Sequence, residues 1–77
     1  PPIEEHIARL NFKNAEILHT GIDTPQHYSD YYAVFEFDGK ETKLSVPPKM
    51  YAGLSVGSTG RLITEDGKFL DFIINDE

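Results

Sequence analysis

Tyr31–Gly60, YYAVFEFDGKETKLSVPPKMYAGLSVGSTG, spells out a β-hairpin, a proline stop, a one-turn linker and a two-glycine return to sheet. From Tyr31 to Phe37 every residue except Ala33 and Glu36 is aromatic or β-branched, the composition of a strand. The run stops at Asp38-Gly39, a pair with ready access to positive φ and therefore suited to a tight hairpin turn. Lys40 to Val46 is the returning strand. A two-residue loop sets Phe35 opposite Thr42, Ala33 opposite Leu44 and Tyr31 opposite Val46, and it also sets Glu36 against Glu41. A four-residue loop exchanges that repulsion for Glu36 against Lys43, a difference of roughly 0.5–1 kcal/mol. A three-residue loop with Gly39 left-handed pairs Glu36 with Lys40 instead. The dipeptide locates the turn and leaves the register open.

Pro47-Pro48 removes two backbone donors and ends the ladder, while a proline at the first helical position suits a short helical turn through Lys49 to Gly53. Met50 or Tyr51 and Leu54 then lie one turn apart, where they can plug the end of a barrel. Val56-Gly57 and Gly60 bracket a bend into the strand Arg61–Thr64. Glu65-Asp66-Gly67 is a second hairpin signal and suits a three-residue loop with Gly67 left-handed. That loop pairs Arg61 with Asp71 and Ile63 with Phe69. Phe69 to Ile74 is the last strand, closed by Asn75-Asp76-Glu77.

Upstream of this stretch the pattern is ambiguous. Ile3, Ile7 and Leu10 fit a helical stripe, so residues 1–9 read as a poorly ordered lead-in or a short helix. Leu10 and Phe12, then Ala15 and Ile17, alternate as a strand with a one-residue slip near Asn14, and a bulge there would bend a long first strand over Leu10–Thr20. Gly21–Ser29 is polar and reads as a loop. The expected fold is all-β: a five- or six-stranded antiparallel barrel, SH3-like or OB-like, with one helical turn.

The 77 residues suffice for one domain, 1–77, with a modest core, since a chain of this size buries only about 60% of its unfolded surface. The absence of Cys excludes disulfides and Cys-based zinc sites. Thirteen acidic against seven basic residues give a net charge of -6, and the cations Arg9, Lys13, Lys40, Lys43, Lys49, Arg61 and Lys68 are scattered singly. Nucleic-acid affinity draws on clustered Lys and Arg, so no nucleic acid is expected as a partner. No apolar run approaches the roughly 20 residues of a membrane span. The chain starts Pro1-Pro2 without Met, which leaves room for an anchor or signal upstream.

One family carries much of this pattern. Ala15-Glu16-Ile17-Leu18, a polar gap, Tyr31-Tyr32-x-Val34-Phe35-Glu36-Phe37, Leu44-x-Val46-Pro47, Tyr51-x-x-Leu54-x-x-Gly57-x-x-Gly60-x-Leu62 and an aromatic-rich last strand resemble the bacterial "domain of unknown function 2500" family over roughly Asn14–Phe72. The resemblance implies a short all-β domain, often behind a single N-terminal membrane anchor, and hence a cell-envelope location, with a cytoplasmic one as the alternative. The family usually has an acidic residue after the first glycine, where this chain has Ser58, and the gap around Asp23–His27 is this chain's own. The resemblance brings no catalytic residue and no cofactor.

Candidate sites are few. His27, with Asp23 four residues before and Asp30 three after, could gather two carboxylates and an imidazole around a divalent ion if the loop curled, although solvated polar loops of this kind are common. His6 beside Glu4-Glu5 and His19 beside Thr20 are weaker. No G-x-S-x-G, no G-x-x-x-x-G-K-[ST] and no dinucleotide fingerprint is present, and Gly53, Gly57 and Gly60 read as turn glycines. The chain reads as no enzyme. Tyr28, Tyr31, Tyr32 and Tyr51 form the one potential partner surface, because an exposed tyrosine offers an apolar ring with a polar tip. Tyr31 and Tyr32, being adjacent, face opposite sides of their strand, so one packs inward and the other covers the outside. The expectation is a non-catalytic interaction or structural module that meets a protein or peptide partner through a sheet edge or the tyrosine face. The alternatives are a nucleic-acid-binding small barrel, favoured by shape and aromatics and opposed by charge, and a metal-dependent site in the 23–30 loop.

Overall fold

A computed structural model describes the backbone of residues 2–20 and 26–75 and the side chains of residues 2–16 and 30–75. In chain order the elements are β1 (Ile3–Thr20), β2 (Gln26–Phe37), β3 (Lys40–Ser45), the single helical turn α1 (Pro48–Tyr51), β4 (Thr59–Glu65) and β5 (Lys68–Ile74). The strands form one antiparallel sheet in the order β3-β2-β1-β4-β5. The fold is all-β as expected and has five strands, but the sheet remains open: among the described residues β3 and β5 are its unpaired edges, so it does not become a closed barrel. Its concave side carries the core, in which Phe35, Leu10 and Leu62 are fully enclosed beside Ala8, Ala33, Leu44, Val46, Leu54, Phe69 and Phe72. The Phe35 ring meets Phe72 edge-on at 5.0 Å and lies 6.0 Å from Phe69.

The N-terminal segment is neither a helix nor an unstructured lead-in. Residues 3–9 are strand and pair with β4 from Ile3 opposite Glu65 to Arg9 opposite Thr59. Tertiary pairing overrides the helical stripe because the alternation Glu4, His6, Ala8, Leu10 also lies along one face of a strand, and that face reaches the core. From Arg9 onward the other edge of β1 pairs with β2 as far as Thr20 opposite Gln26. Residues 26–29, which read as loop, therefore belong to β2. The slip in β1 is present, but it falls at Asn11: Leu10 faces Phe35 and Phe12 faces Val34, whereas Asn14 pairs regularly with Tyr32. A bulge exchanges the two faces of a strand. Leu10 is buried in the core, Phe12 is 51% exposed on the convex side, and Lys13 takes the inward position opposite Ala33.

Both hairpins close with two-residue loops. Phe37 pairs with Lys40 across Asp38-Gly39, and Glu65 pairs with Lys68 across Asp66-Gly67. All four loop residues have positive φ, 55° and 75° in the first turn and 54° and 78° in the second, the signature of a type I′ turn whose twist matches that of the strands. The first hairpin thus realises the register that sets Glu36 against Glu41. The second departs from the three-residue expectation. Ile63 faces Asp71 and Arg61 faces Ile73, because β5 carries a bulge at Leu70 that shifts the register between Ile63 and Thr64.

After β3 the chain behaves largely as read. Pro48 begins α1, Met50 N–H and Tyr51 N–H both donate to Pro47 O, and Gly53 N–H donates to Met50 O. Leu54 enters the core and half-buried Met50 and Tyr51 pack against it. Gly57, at φ 95°, makes the following turn, and its N–H donates to Leu10 O at 2.7 Å. Gly60 is not a turn glycine: it lies within β4, between Ala8 and Ile74, where a Cβ would come within 2.1 Å of Ile73 O.

Candidate functional site

The tyrosines do not form one patch. Tyr31 and Tyr51 lie on the core side, with ring centroids 4.9 Å apart, and both pack against the buried cluster. Tyr32 lies on the convex side, half-buried, with Lys43 Nζ 4.1 Å above its ring, Asn14 Nδ2 donating to its hydroxyl at 3.2 Å and the Phe12 ring 6.4 Å away. The inward and outward split of Tyr31 and Tyr32 follows from strand alternation. Tyr28 is paired through its backbone with Leu18, and its side chain lies outside the described residues.

The helical turn is fastened to the sheet by Lys13. Its ammonium donates to Tyr51 O at 3.0 Å and Leu54 O at 2.8 Å, and it sits 4.5 Å from the Tyr51 ring centroid. The two carbonyls lie at and just past the end of the helical turn, and Tyr51 O also accepts Leu54 N–H at 3.2 Å, so Lys13 adds a charged donor where C=O groups leave the turn. Lys13 reaches them only because the Asn11 bulge turned it inward. Arg61 is held by Glu5 at 2.9 Å. With Lys13 on the helical turn and Lys43 on Tyr32, these three cations are engaged one by one rather than gathered.

The metal candidate is dispersed. Asp23 lies outside the described residues, while His27 and Asp30 sit in extended strand opposite His19 and Glu16, about 10 Å apart along the backbone. Among the described residues no three His, Cys, Asp or Glu side chains stand together as a metal-binding group.

A different grouping does occur where β2 turns away from β1. A cleft of about 310 Å³ opens there, lined by Glu4 and His6 of β1, Phe37, Asp38, Lys40, Thr42 and Leu44 of the first hairpin, and Thr64 and Gly67 of the second. The His6 ring stacks on Phe37 at 4.2 Å with an interplanar angle of 23°. Its Nε2 lies 3.2 Å from Glu4 Oε1 and its Nδ1 lies 3.9 Å from Asp38 Oδ2. Thr64 is the polar residue buried with the core, at 6% exposure, and it faces this cleft. In the sequence His6 is among the weakest candidates. Its signal there is its place on the Glu4, His6, Ala8 alternation, which becomes informative only with Phe37 beside it.

No family model and no curated protein matches this sequence. Crystal structures of proteins from two organisms are among those that share the fold. One, from Proteus penneri, superposes with a TM-score of 0.88 over 100% of both chains at 17% identity. The other, a domain of unknown function 2500 from Klebsiella pneumoniae, superposes with a TM-score of 0.73 over 95% of this chain and 98% of that one, at 22% identity. The fold implied by the resemblance in the sequence is therefore the fold of this chain.

Proposed function

We propose that this protein is a non-catalytic interaction module that takes up a partner polypeptide as an added strand on the arm formed by the far ends of β1 and β2. One observation supports the reading. The β1–β2 ladder continues to Thr20 opposite Gln26, whereas β4 begins at Thr59 opposite Arg9 and β3 ends at Ser45 opposite Tyr32. Beyond these points neither outer edge of the arm has a neighbouring strand among the described residues. Unpaired edges are templates for a further strand, and a two-stranded ribbon is marginal alone, so a third strand stabilises it. Glu16 and Asp30, opposite one another and exposed, favour a partner segment with basic side chains. Tyr28 belongs to the arm by its backbone pairing and Tyr32 lies at its root, while Tyr31 and Tyr51 pack on the core.

Photo-crosslinking tests it. A photoreactive phenylalanine analogue at position 16 or 30 is expected to capture a discrete partner in cells, while the same group at position 49, on α1, captures none. Identical bands from all three positions, or none from the arm, would refute the reading. Tethering to a membrane through a segment outside these residues is part of the proposal and rests on the family resemblance. The full-length protein should sediment with membranes, and recovery in the supernatant would remove that part alone.

A further inference from the structure

We propose that the cleft between the two hairpin turns is a second binding site, one that holds the guanidinium of an arginine carried on a partner polypeptide. It lies at the opposite end of β1 from the arm and goes beyond the strand-addition reading.

The argument begins from an opening in the fold. Ile3–Ala8 pairs with β4 on one side only, because β2 leaves β1 at the Asp38-Gly39 turn. Two carboxylates, Glu4 and Asp38, converge on the space so opened, and among the described residues the ion-pair partner of each is His6. Lys40, exposed, is the basic residue on the lining besides His6, so two carboxylates face one lysine there within a chain of net charge -6. Anions are therefore disfavoured and a cation is favoured.

The wall selects the kind of cation. His6 and Phe37 are stacked, and their plane gives a guanidinium a flat surface to lie along, which a tetrahedral ammonium uses less well. Carboxylates on either side can accept its N–H groups in charge-assisted bonds. Thr64 adds a polar group to the wall. It is 6% exposed and lines the cleft, and no enclosed side-chain polar atom of the described residues lacks a partner, so its hydroxyl lies within reach of water and can accept from an incoming group in water's place. Gly67, at the rim, adds no side chain to obstruct entry.

The experiment is an amide-resonance titration of the folded protein with acetyl-Val-Thr-Arg-Thr-Val-amide, the same peptide with citrulline, and the same peptide with lysine. The arginine peptide is expected to move the signals of Glu4, His6, Thr64 and Gly67, and the citrulline peptide, nearly identical in shape but uncharged, to leave them in place. Glu4→Gln should weaken arginine binding about tenfold, as loss of one charge-assisted bond implies. Asp38→Asn should do the same without disturbing the turn, because asparagine tolerates the left-handed conformation at that position. Equal shifts from citrulline, or no shift from arginine, would overturn the proposal, and equal affinity for lysine would overturn the choice of guanidinium. None of these outcomes bears on crosslinking from the arm.

Discussion

Glu36 and Glu41 stand directly opposite each other on β2 and β3, and the amide of Asn11, the bulged residue of β1, donates to both, at 2.9 Å to each. A like-charge cross-strand pair is unfavourable alone. Here one side-chain amide spans the two carboxylates and fixes the register that their repulsion opposes.

Asn11→Ala is expected to lower stability by about 1 kcal/mol, and Asn11→Asp by more, since it adds a third carboxylate to the pair. In a Glu41→Lys background the Asn11→Ala loss should shrink, because the repulsion it offsets has gone. Urea denaturation of the four proteins in this double-mutant cycle measures the coupling. Strict additivity would show that Asn11 does not act through the pair.

Gly60 and Gly53 separate close approach from mere presence in a turn. Gly60→Ala should destabilise by about 3 kcal/mol, because the new Cβ meets the β5 backbone at Ile73 and the two strands must part. Gly53→Ala meets only Met50 O at 3.7 Å and is expected to be neutral or slightly stabilising through the unfolded chain. Thermal melts of the two variants decide it, and similar losses would contradict the placement of Gly60.

Lys13→Met keeps the aliphatic stem and removes the ammonium. Leu54 O then loses its Lys13 donor and Tyr51 O is left with the Leu54 N–H, at a cost of about 1–2 kcal/mol. Hydrogen exchange should accelerate across residues 48–55 while the β4–β5 amides remain protected. Uniform acceleration would mean that the helical turn is not fastened separately.

Phe12 and Phe35 test where the faces exchange. Phe35→Ala should cost about 3–5 kcal/mol, as an enclosed aromatic does. Phe12→Ser should change stability by less than about 1 kcal/mol, because the ring lies outside. A core-sized loss at Phe12 would place the bulge after it, nearer Asn14.

Turns were legible in the sequence and registers were not. Asp38-Gly39 and Asp66-Gly67 announce themselves by their conformational freedom, and Pro47-Pro48 by the donors it lacks. The register of the first hairpin rests on a balance of roughly 0.5–1 kcal/mol between opposing pairs, and it is tipped by Asn11, a residue on another strand that no local window includes. Position 11 or 14 for the slip leaves the local alternation almost unchanged, and only the pairing of Phe12 with Val34 distinguishes them. The bulge at Leu70 has the same character: Glu65-Asp66-Gly67 is compatible with two loop lengths, and the choice is made by the ladder to β4. Of the candidate site, the tyrosine partition followed from alternation. The cleft around His6 did not, because its residues come from three separate regions and meet only when β1 is placed between β2 and β4.

That central position of β1 has a kinetic meaning. The pairs β1–β2, β2–β3 and β4–β5 each join strands that are neighbours in the chain, whereas β1 meets β4 only across it, Ile3 with Glu65 and Arg9 with Thr59. Non-local pairings of this kind are slow because the loop-closure entropy is lost before the contacts are gained. Closing the β1–β4 seam is thus expected to be the slow step of folding, because it joins the three-stranded β1–β2–β3 meander to the β4–β5 hairpin.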